Sequence, residues 1–305
     1  GKAVQEGQRK FLGTLWNTYA FFVLYANIDE FDATKYTLDY EKLSVMDTWL
    51  LSKLNTLIKT VDNNLGNYRI PEAARALDEF VDESNWYVRR CRELFWAKGM
   101  EQDKINAYMT LYTALVTVCK VAAPMIPFMT EEIYQNLVCS IDKSAPESIH
   151  LCDYPVANES WIDSELEKNM DEVLKIVVMG RACRNTANIK NRQPIGNMFV
   201  KAPFELSEYF TEIIEDELNV KKVAFTEDVS AYTSYTFKPQ LRTVGPKFGK
   251  YLGQIQKALA ELDGNKAMAE LKSTGALKLD SISDEVVLYE EDLLITMTQQ
   301  EGYMT

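Results

Sequence analysis

DKINAYMTLYTALVTVCKVAAPMIPFMTEEIYQNL, residues 103–137, is the stretch on which the fold turns. It begins as a strongly apolar helix and is broken by Pro124 and Pro127, whose rings cannot continue the backbone ladder. Thr130 is a good N-cap for a restart, with Glu131 and Glu132 in the first turn, where the helix dipole favours negative charge. One long helix, a tight turn and a second helix are predicted, which is the unit of a helical bundle.

Towards the N-terminus the same rhythm repeats. Residues 69–99, RIPEAARALDEFVDESNWYVRRCRELFWAKG, place Pro71 at a first helical position and stop at Gly99. Residues 44–68 carry an N-cap at Ser44, an apolar face of Trp49, Leu50, Leu54, Leu57, Ile58 and Val61, and an end at Gly66. Residues 1–28 have Phe11, Leu12, Leu15, Trp16, Tyr19, Phe22 and Val23 at three- and four-residue steps, one buried stripe. IDEFDATKYTLDY, 28–40, is a loop of weak pattern.

Towards the C-terminus, SAPESIHLCDYPVANES (144–160) is the best boundary, and a long helix follows from about Trp161 to Ile189, with Leu166, Met170, Val173, Leu174, Ile176 and Val177 on its apolar side. After Pro194 the period changes. NMFVKAP, LSEYFTEIIEDEL and VKKVAF form a strand–helix–strand unit. YTSYTF is a further strand, KFGKYLGQIQKALAEL and NKAMAELKS are helices, and ALKLD, EVVLY and LLITMTQ are strands. The expected fold is mainly α, a helical bundle over 1–155, a junction helix and RQPI segment over 156–195, and a smaller α/β domain over 196–305.

A chain of 305 residues has room for two or three domains, and 47% hydrophobic with 26% charged residues is ordinary globular composition. No apolar run approaches the roughly 18 to 20 residues of a membrane span, and GKAVQEGQRKFLG has no apolar signal core, so a cytoplasmic protein without membrane partners is expected. Cys91, Cys119, Cys139, Cys152 and Cys183 are scattered, which argues against disulfides and a zinc knuckle.

The only histidine, His150, lacks ligand-spaced partners, and nothing around it resembles a nucleophile turn. GPKFGK, 245–250, lacks the spacing of a phosphate loop, and no G-x-G-x-x-G is present. By itself the chain does not read as an enzyme, and no catalytic residue, metal ligand or cofactor is expected in it.

Charge distribution is more informative. The net charge is −12, yet residues 173–204 contain no carboxylate and hold Lys175, Arg181, Arg184, Lys190, Arg192 and Lys201. A second acid-free window, 229–260, holds Lys238, Arg242, Lys247, Lys250 and Lys257. Local cationic clusters of this kind bind phosphate backbones; the other reading is solvated faces whose acids lie elsewhere in the sequence. In SNWYVRRCRELFW, 84–96, the helical wheel puts Tyr87, Val88, Cys91, Leu94 and Phe95 on one core arc. Arg89, Arg90, Arg92, Trp86 and Trp96 fall outside it, either covered by a neighbouring helix or available for stacking on unpaired bases.

Several segments resemble known proteins. VAAPMIPFMTEEIYQNL followed by SIHLCDYP resembles the anticodon-binding helical domain of the class I aminoacyl-tRNA synthetases for isoleucine, valine and leucine. RKFLGTLWNTYAFFVLYAN is similar to that domain's first helix. RALDEFVDESNWYVRRCRELFW, GRACRNTANIKNRQPI and the C-terminal DELNVKKVAF and EVVLYEEDLLITMTQQEGYMT resemble the isoleucine branch. The resemblance implies an anticodon-binding bundle followed by a smaller α/β domain that holds tRNA(Ile). ATP and Mg, with the aminoacylation chemistry, would belong to catalytic and editing domains of the same polypeptide. The H-x-G-H and K-M-S-K-S signatures of the family's catalytic core are absent here, so a region ending inside the C-terminal domain, inactive alone, is expected. Contacts to the tRNA backbone are expected from Arg181, Arg184, Lys190 and Arg192, with Arg89, Arg90 and Trp86 behind them and Arg242, Lys247 and Lys250 from the second window. The rival readings are the equivalent region of the valine enzymes, and a helical scaffold that binds a protein partner through Trp86 and Trp96.

Overall fold

A computed structural model of the chain describes residues 2–228, 232–279, 281–283 and 286–299. The chain divides into two compact units, Gly1–Met170 and Asp171–Thr305. In the first, α1 (Lys2–Gly7) passes through a π-helical turn, Gln8–Leu12, into α2 (Gly13–Ile28). Then follow α3 (Val45–Gly66), α4 (Ile70–Arg90), α5 (Arg92–Trp96), α6 (Gln102–Ala122) and α7 (Pro127–Tyr134). The first helix is thus not uniform, and Trp16, expected in its buried stripe, is 40% exposed.

α3 starts at the expected cap. The Ser44 hydroxyl accepts the Asp47 N–H at 3.2 Å, and the Asp47 carboxylate accepts the Ser44 N–H at 3.0 Å. That same buried carboxylate accepts the Tyr87 hydroxyl at 2.5 Å, which ties the start of α3 to the end of α4. Burial, helped by the nearby Cys91 and Asp47, pushes the Tyr87 hydroxyl well above its usual pKa, so it remains a donor.

Two boundaries differ from the sequence expectation. The helix of residues 70–99 is broken at Cys91 (φ −90°, ψ 7°), and the bend turns α5 so that Phe95 meets Phe21 and Tyr108 edge-on at 5.2 and 4.9 Å. The helix after the double proline starts at Pro127, not at Thr130. Proline suits a first helical position because its missing N–H has no partner there in any case, whereas Thr130 lies inside α7 with its hydroxyl donating to the Ile126 carbonyl at 2.9 Å.

α6 is the core helix. Among the described residues it is the helix long and apolar enough to cross a membrane, contrary to the expectation that none would be, and 67% of its apolar window is buried inside the structure. Its one buried cation, Lys104, is 2% exposed. The ammonium donates to Asp29 at 2.6 Å and to the Ala97 carbonyl at 2.7 Å, while the Tyr108 hydroxyl donates to the same Asp29 at 2.5 Å. Above Tyr108, Phe31 and Tyr36 stack in series, with centroid spacings of 4.5 and 5.4 Å. The stretch of weak pattern, 28–40, is thereby fixed by its rings.

Two segments strap the bundle. Glu131 on α7 accepts the Ser148 hydroxyl and the Ile149 N–H, each at 2.9 Å, so the T-E-E and S-I-H-L segments form one hydrogen-bonded piece. Residues 158–167 lie along α3, where Asn55 accepts the Asn158 N–H at 2.8 Å and Ser52 and Thr56 both donate to Glu167, at 2.5 and 2.8 Å.

α8 (Ser164–Thr186), shorter at both ends than expected, crosses the division at Met170. In the second unit β1 (Ile195–Val200), α9 (Glu208–Leu218) and β2 (Val220–Phe225) make the expected strand–helix–strand unit, with β1 and β2 parallel. β3 (Thr233–Pro239) is followed by α10 (Leu241–Phe248), α11 (Leu252–Glu261) and α12 (Gly264–Thr274). The chain closes with β4 (Ala276–Lys278), β5 (Val287–Tyr289) and β6 (Leu293–Gln299). β3 pairs antiparallel with β6, and β4 with β5. The outer residues of two expected strands, Asp280 and Glu285, lie outside the described residues. The single helix expected over KFGKYLGQIQKALAEL is divided by a 3-10 turn, Gly249–Tyr251, and α10 begins earlier, at Leu241; Pro246 sits inside it while Val244 is buried in the core with Phe237, Ile255 and Leu288. Gly264 allows α12 to begin against β3, since a Cβ there would lie 1.6 Å from the Tyr235 carbonyl oxygen.

Two measurements test these networks. Lys104→Met should destabilise the chain by about 3 kcal/mol in urea unfolding, because it leaves the Asp29 carboxylate without its cation. Glu131→Gln should cost about 1 to 2 kcal/mol at neutral pH. Burial raises the Glu131 pKa, but hydrogen bonds from Gln135, Ile149 and Ser148 outweigh it and hold the pKa below its ordinary value. The carboxylate therefore stabilises the fold fully above the unfolded value of roughly 4.3, and the gap between wild type and Glu131→Gln should close as pH falls through the lower folded value.

Candidate nucleic-acid interface

The residues of the first acid-free window have three different fates. Arg181 is half-buried on α8 and forms an ion pair with Glu217 of α9. Arg184 is 2% exposed. Its guanidinium donates to the carbonyls of Lys190 and Gln193, both at 3.0 Å, and to those of Leu218 and Asn219 at 2.5 and 3.1 Å. The expectation that Arg184 contacts a phosphate is corrected by this burial: all the neighbours it reaches are main-chain oxygens, and burial alone pulls its pKa down. Lys190 and Arg192 stand exposed on the 187–194 turn, with no carboxylate partner among the described residues.

The turn has a built scaffold. α8 ends with Asn188 in the left-handed region (φ 55°), and the Ile189 N–H returns to the Arg184 carbonyl at 2.9 Å. Asn219, also left-handed (φ 49°), caps α9 and donates its amide to the Asn191 carbonyl at 3.0 Å. Gly180 lies where a Cβ would be 2.3 Å from Leu218 Cδ1, so its missing side chain lets α8 approach the end of α9. Sequence reasoning missed Asn219. The available signal was an asparagine directly after an amphipathic helix, the position that most often takes a left-handed conformation.

In SNWYVRRCRELFW the core arc holds at Tyr87, Val88, Cys91 and Phe95, which are buried, while Leu94 is half-buried. Trp86 does not join an exposed face: it is 6% exposed and meets Trp49 edge-on at 5.3 Å. Its place off the main arc reflects a helix with neighbours on two sides, which removes it from the set available to a ligand. Trp96 is 55% exposed. Its indole donates to the Tyr25 hydroxyl at 2.6 Å, and the Arg92 guanidinium lies 5.4 Å from its ring centroid. Arg89 is exposed and Arg90 half-buried.

The second window is acid-free in sequence but not in space. Lys247 pairs with Glu291 at 3.0 Å and with the buried Asp292 at 2.9 Å, which pins α10 to the turn before β6 and raises the lysine pKa. Arg242 is exposed, and Lys250 is exposed over the Tyr251 ring at 4.6 Å.

Nothing here assembles into a reaction centre among the described residues. His150 is exposed in a short turn, its N–H held by the Ser148 hydroxyl. Burial pushes the Cys91 and Cys119 thiols up to about 12, away from nucleophilic character. No group of three or more histidine, cysteine or carboxylate side chains is placed to hold a metal ion among the described residues. What the surface offers instead is exposed cations, Lys190 and Arg192 in one short turn, Arg242 on α10 and Lys250 in the turn that follows it, suited to a polyanion.

Comparison with known proteins gives this surface a context. The family model described as the anticodon-binding domain of tRNA ligase matches residues 47–199. The isoleucine–tRNA ligase of Clostridium tetani (strain Massachusetts / E88) is 49% identical over 301 residues, covering 98% of this chain and 29% of the relative. That of Clostridium acetobutylicum is 50% identical over 301 residues, with the same coverages of 98% and 29%. Isoleucine–tRNA ligase 2 of Bacillus cereus (strain ATCC 14579) is 40% identical over 307 residues, covering 99% of this chain and 29% of the relative. The chain thus spans 29% of the length of the curated relatives it matches. With this family model matched over half of its length, the chain belongs to the family of anticodon-binding domains of tRNA ligases.

Proposed function

We propose that the chain is the tRNA-holding region of an isoleucine–tRNA ligase, and that it binds the anticodon stem and loop of tRNA(Ile). The reading rests on one observation: a family match to anticodon-binding domains across the residues that carry the exposed cations Lys190 and Arg192. Binding energy made here orients the tRNA so that its acceptor end reaches a distant active site. The chemistry, ATP- and Mg-dependent activation of isoleucine and transfer to tRNA, belongs to catalytic and editing domains of the same polypeptide. Its location is the cytoplasm, where tRNA is charged.

Residues 1–155 act as the anticodon-binding bundle, 156–195 as the junction and 196–305 as the smaller domain. Phosphate contacts come from Lys190 and Arg192, with Arg89, Arg90, Arg242 and Lys250 as flanking positive charge. Arg184, Trp86 and Lys247 are left out of the contacting set, because each is committed to a partner inside the protein. Arg181 contributes through its exposed edge while paired with Glu217. Base-specific contacts come from the α/β domain and the RQPI boundary. The names of the relatives favour isoleucine over the valine branch.

The test is tRNA affinity as a function of salt. About three phosphate contacts, from Lys190, Arg192 and Arg181, give a log–log slope near −2, at roughly −0.7 per phosphate of single-stranded RNA. Lys190→Ala with Arg192→Ala should reduce the magnitude of that slope by about 1.4 and weaken binding about tenfold at moderate salt. A flat salt response, or equal affinity for valine tRNA, would overturn the reading.

A further inference from the structure

Arg184 carries a full positive charge at 2% exposure, and no carboxylate pairs with it among the described residues. A buried ion of this kind is costly unless dipoles replace its water. Four carbonyl oxygens do so at its two terminal nitrogens, while the buried Nε has no partner among the described residues. Those of Leu218 and Asn219 end α9, where the helix dipole is negative. Those of Lys190 and Gln193 belong to the 187–194 turn. The planar fork of arginine reaches both groups at once, which the point charge of lysine cannot do.

The consequence for the turn is geometric. Its carbonyls at 190 and 193 are drawn inward by Arg184, and the carbonyl at 191 is drawn inward by the Asn219 amide. Lys190 and Arg192, in the same short stretch, are exposed. Without those side-chain anchors the turn would be held only by backbone bonds such as that from the Gln193 N–H to the Lys190 carbonyl at 2.9 Å, and fixing it further would be a cost of binding.

We propose that Arg184 is a positioning residue for RNA: it holds the 187–194 turn from inside so that Lys190 and Arg192 are set at a fixed spacing for successive phosphates. This rests on the tRNA reading above. Arg184 itself touches no RNA, and its effect passes through the two exposed cations. Its unopposed charge adds to the positive field over the turn.

The experiment is a double-mutant cycle on tRNA(Ile) transcript affinity, using the whole chain. One arm is Arg184→Lys, which keeps the charge and loses the fork; the other is Lys190→Ala with Arg192→Ala. Each arm alone should weaken binding about tenfold, and the combination should be no weaker than the weaker arm, since both remove the same contacts. Hydrogen exchange should speed up at the Gln193 amide in Arg184→Lys while the amides of β2 keep their protection.

Losses that multiply to about a hundredfold in the combined variant would overturn the proposal, as would Arg184→Lys binding like wild type. If Lys190→Ala with Arg192→Ala binds like wild type, the tRNA reading of this turn fails first and the positioning role with it. Should Arg184→Lys not fold, Asn219→Gly replaces it. Glycine accepts the left-handed backbone and removes only the bond to the Asn191 carbonyl, and the same non-multiplying loss is expected.

Discussion

A helix that is apolar on every side has to be enclosed, and α6 imposes that requirement on the first unit. Ala107, Leu111, Ala114, Leu115, Val118, Cys119 and Ala122 are all buried, and they point in more than one direction. α2, α3, α4, α5 and α7 pack against it. The bend at Cys91 and the proline turn at 124–127 both follow from this enclosure, since each turns the chain back along α6. The polar exceptions are tightly specified. Lys104 enters the core only where Asp29, the Ala97 carbonyl and the Tyr108 ring meet its ammonium.

Much of this was legible in the sequence, because the signals involved are local. Ser44 caps the start of α3 and Gly66 is its last residue, before the C-cap Asn67, and the apolar face of Trp49 through Val61 is buried as its spacing requires. The strand–helix–strand unit was found with its order correct, since a change from a helical to an alternating period survives even in short elements. What was not legible depended on contacts distant in sequence. Nothing local distinguishes a helix that continues past Cys91 from one that bends to put Phe95 under Tyr108. Thr130 has the chemistry of a cap, but Pro127 had already supplied a start, and α10 runs through a Gly-Pro pair because Val244 is held in the core.

The charged residues show the same division. An absence of acids along the sequence does not amount to an absence in space: Glu217 reaches Arg181, and Asp292 with Glu291 reaches Lys247, across 36 and 44–45 residues respectively. Arg184 makes the sharper point, since this cation of the acid-free stretch 173–204 is turned inward. The exposed pair, Lys190 and Arg192, follows it in sequence, in the turn whose carbonyls at 190 and 193 accept from its guanidinium. A count of cations along the sequence does not separate the exposed Lys190 and Arg192 from the buried Arg184.

The bond from Glu131 to Ser148 and Ile149 also has a bearing on how the chain can change length. It closes a loop, and the neighbouring bonds from Tyr134 to the Pro146 carbonyl and from Gln135 to the Glu147 carbonyl close it a second and a third time. Residues 141–145 are therefore relieved of any part in fixing the bundle. The entropy of closing such a loop grows only slowly, by about 0.6 kcal/mol for each doubling of length. That tip is the place in the first unit where residues can be inserted or removed, or a label attached, with the helices on either side keeping their register.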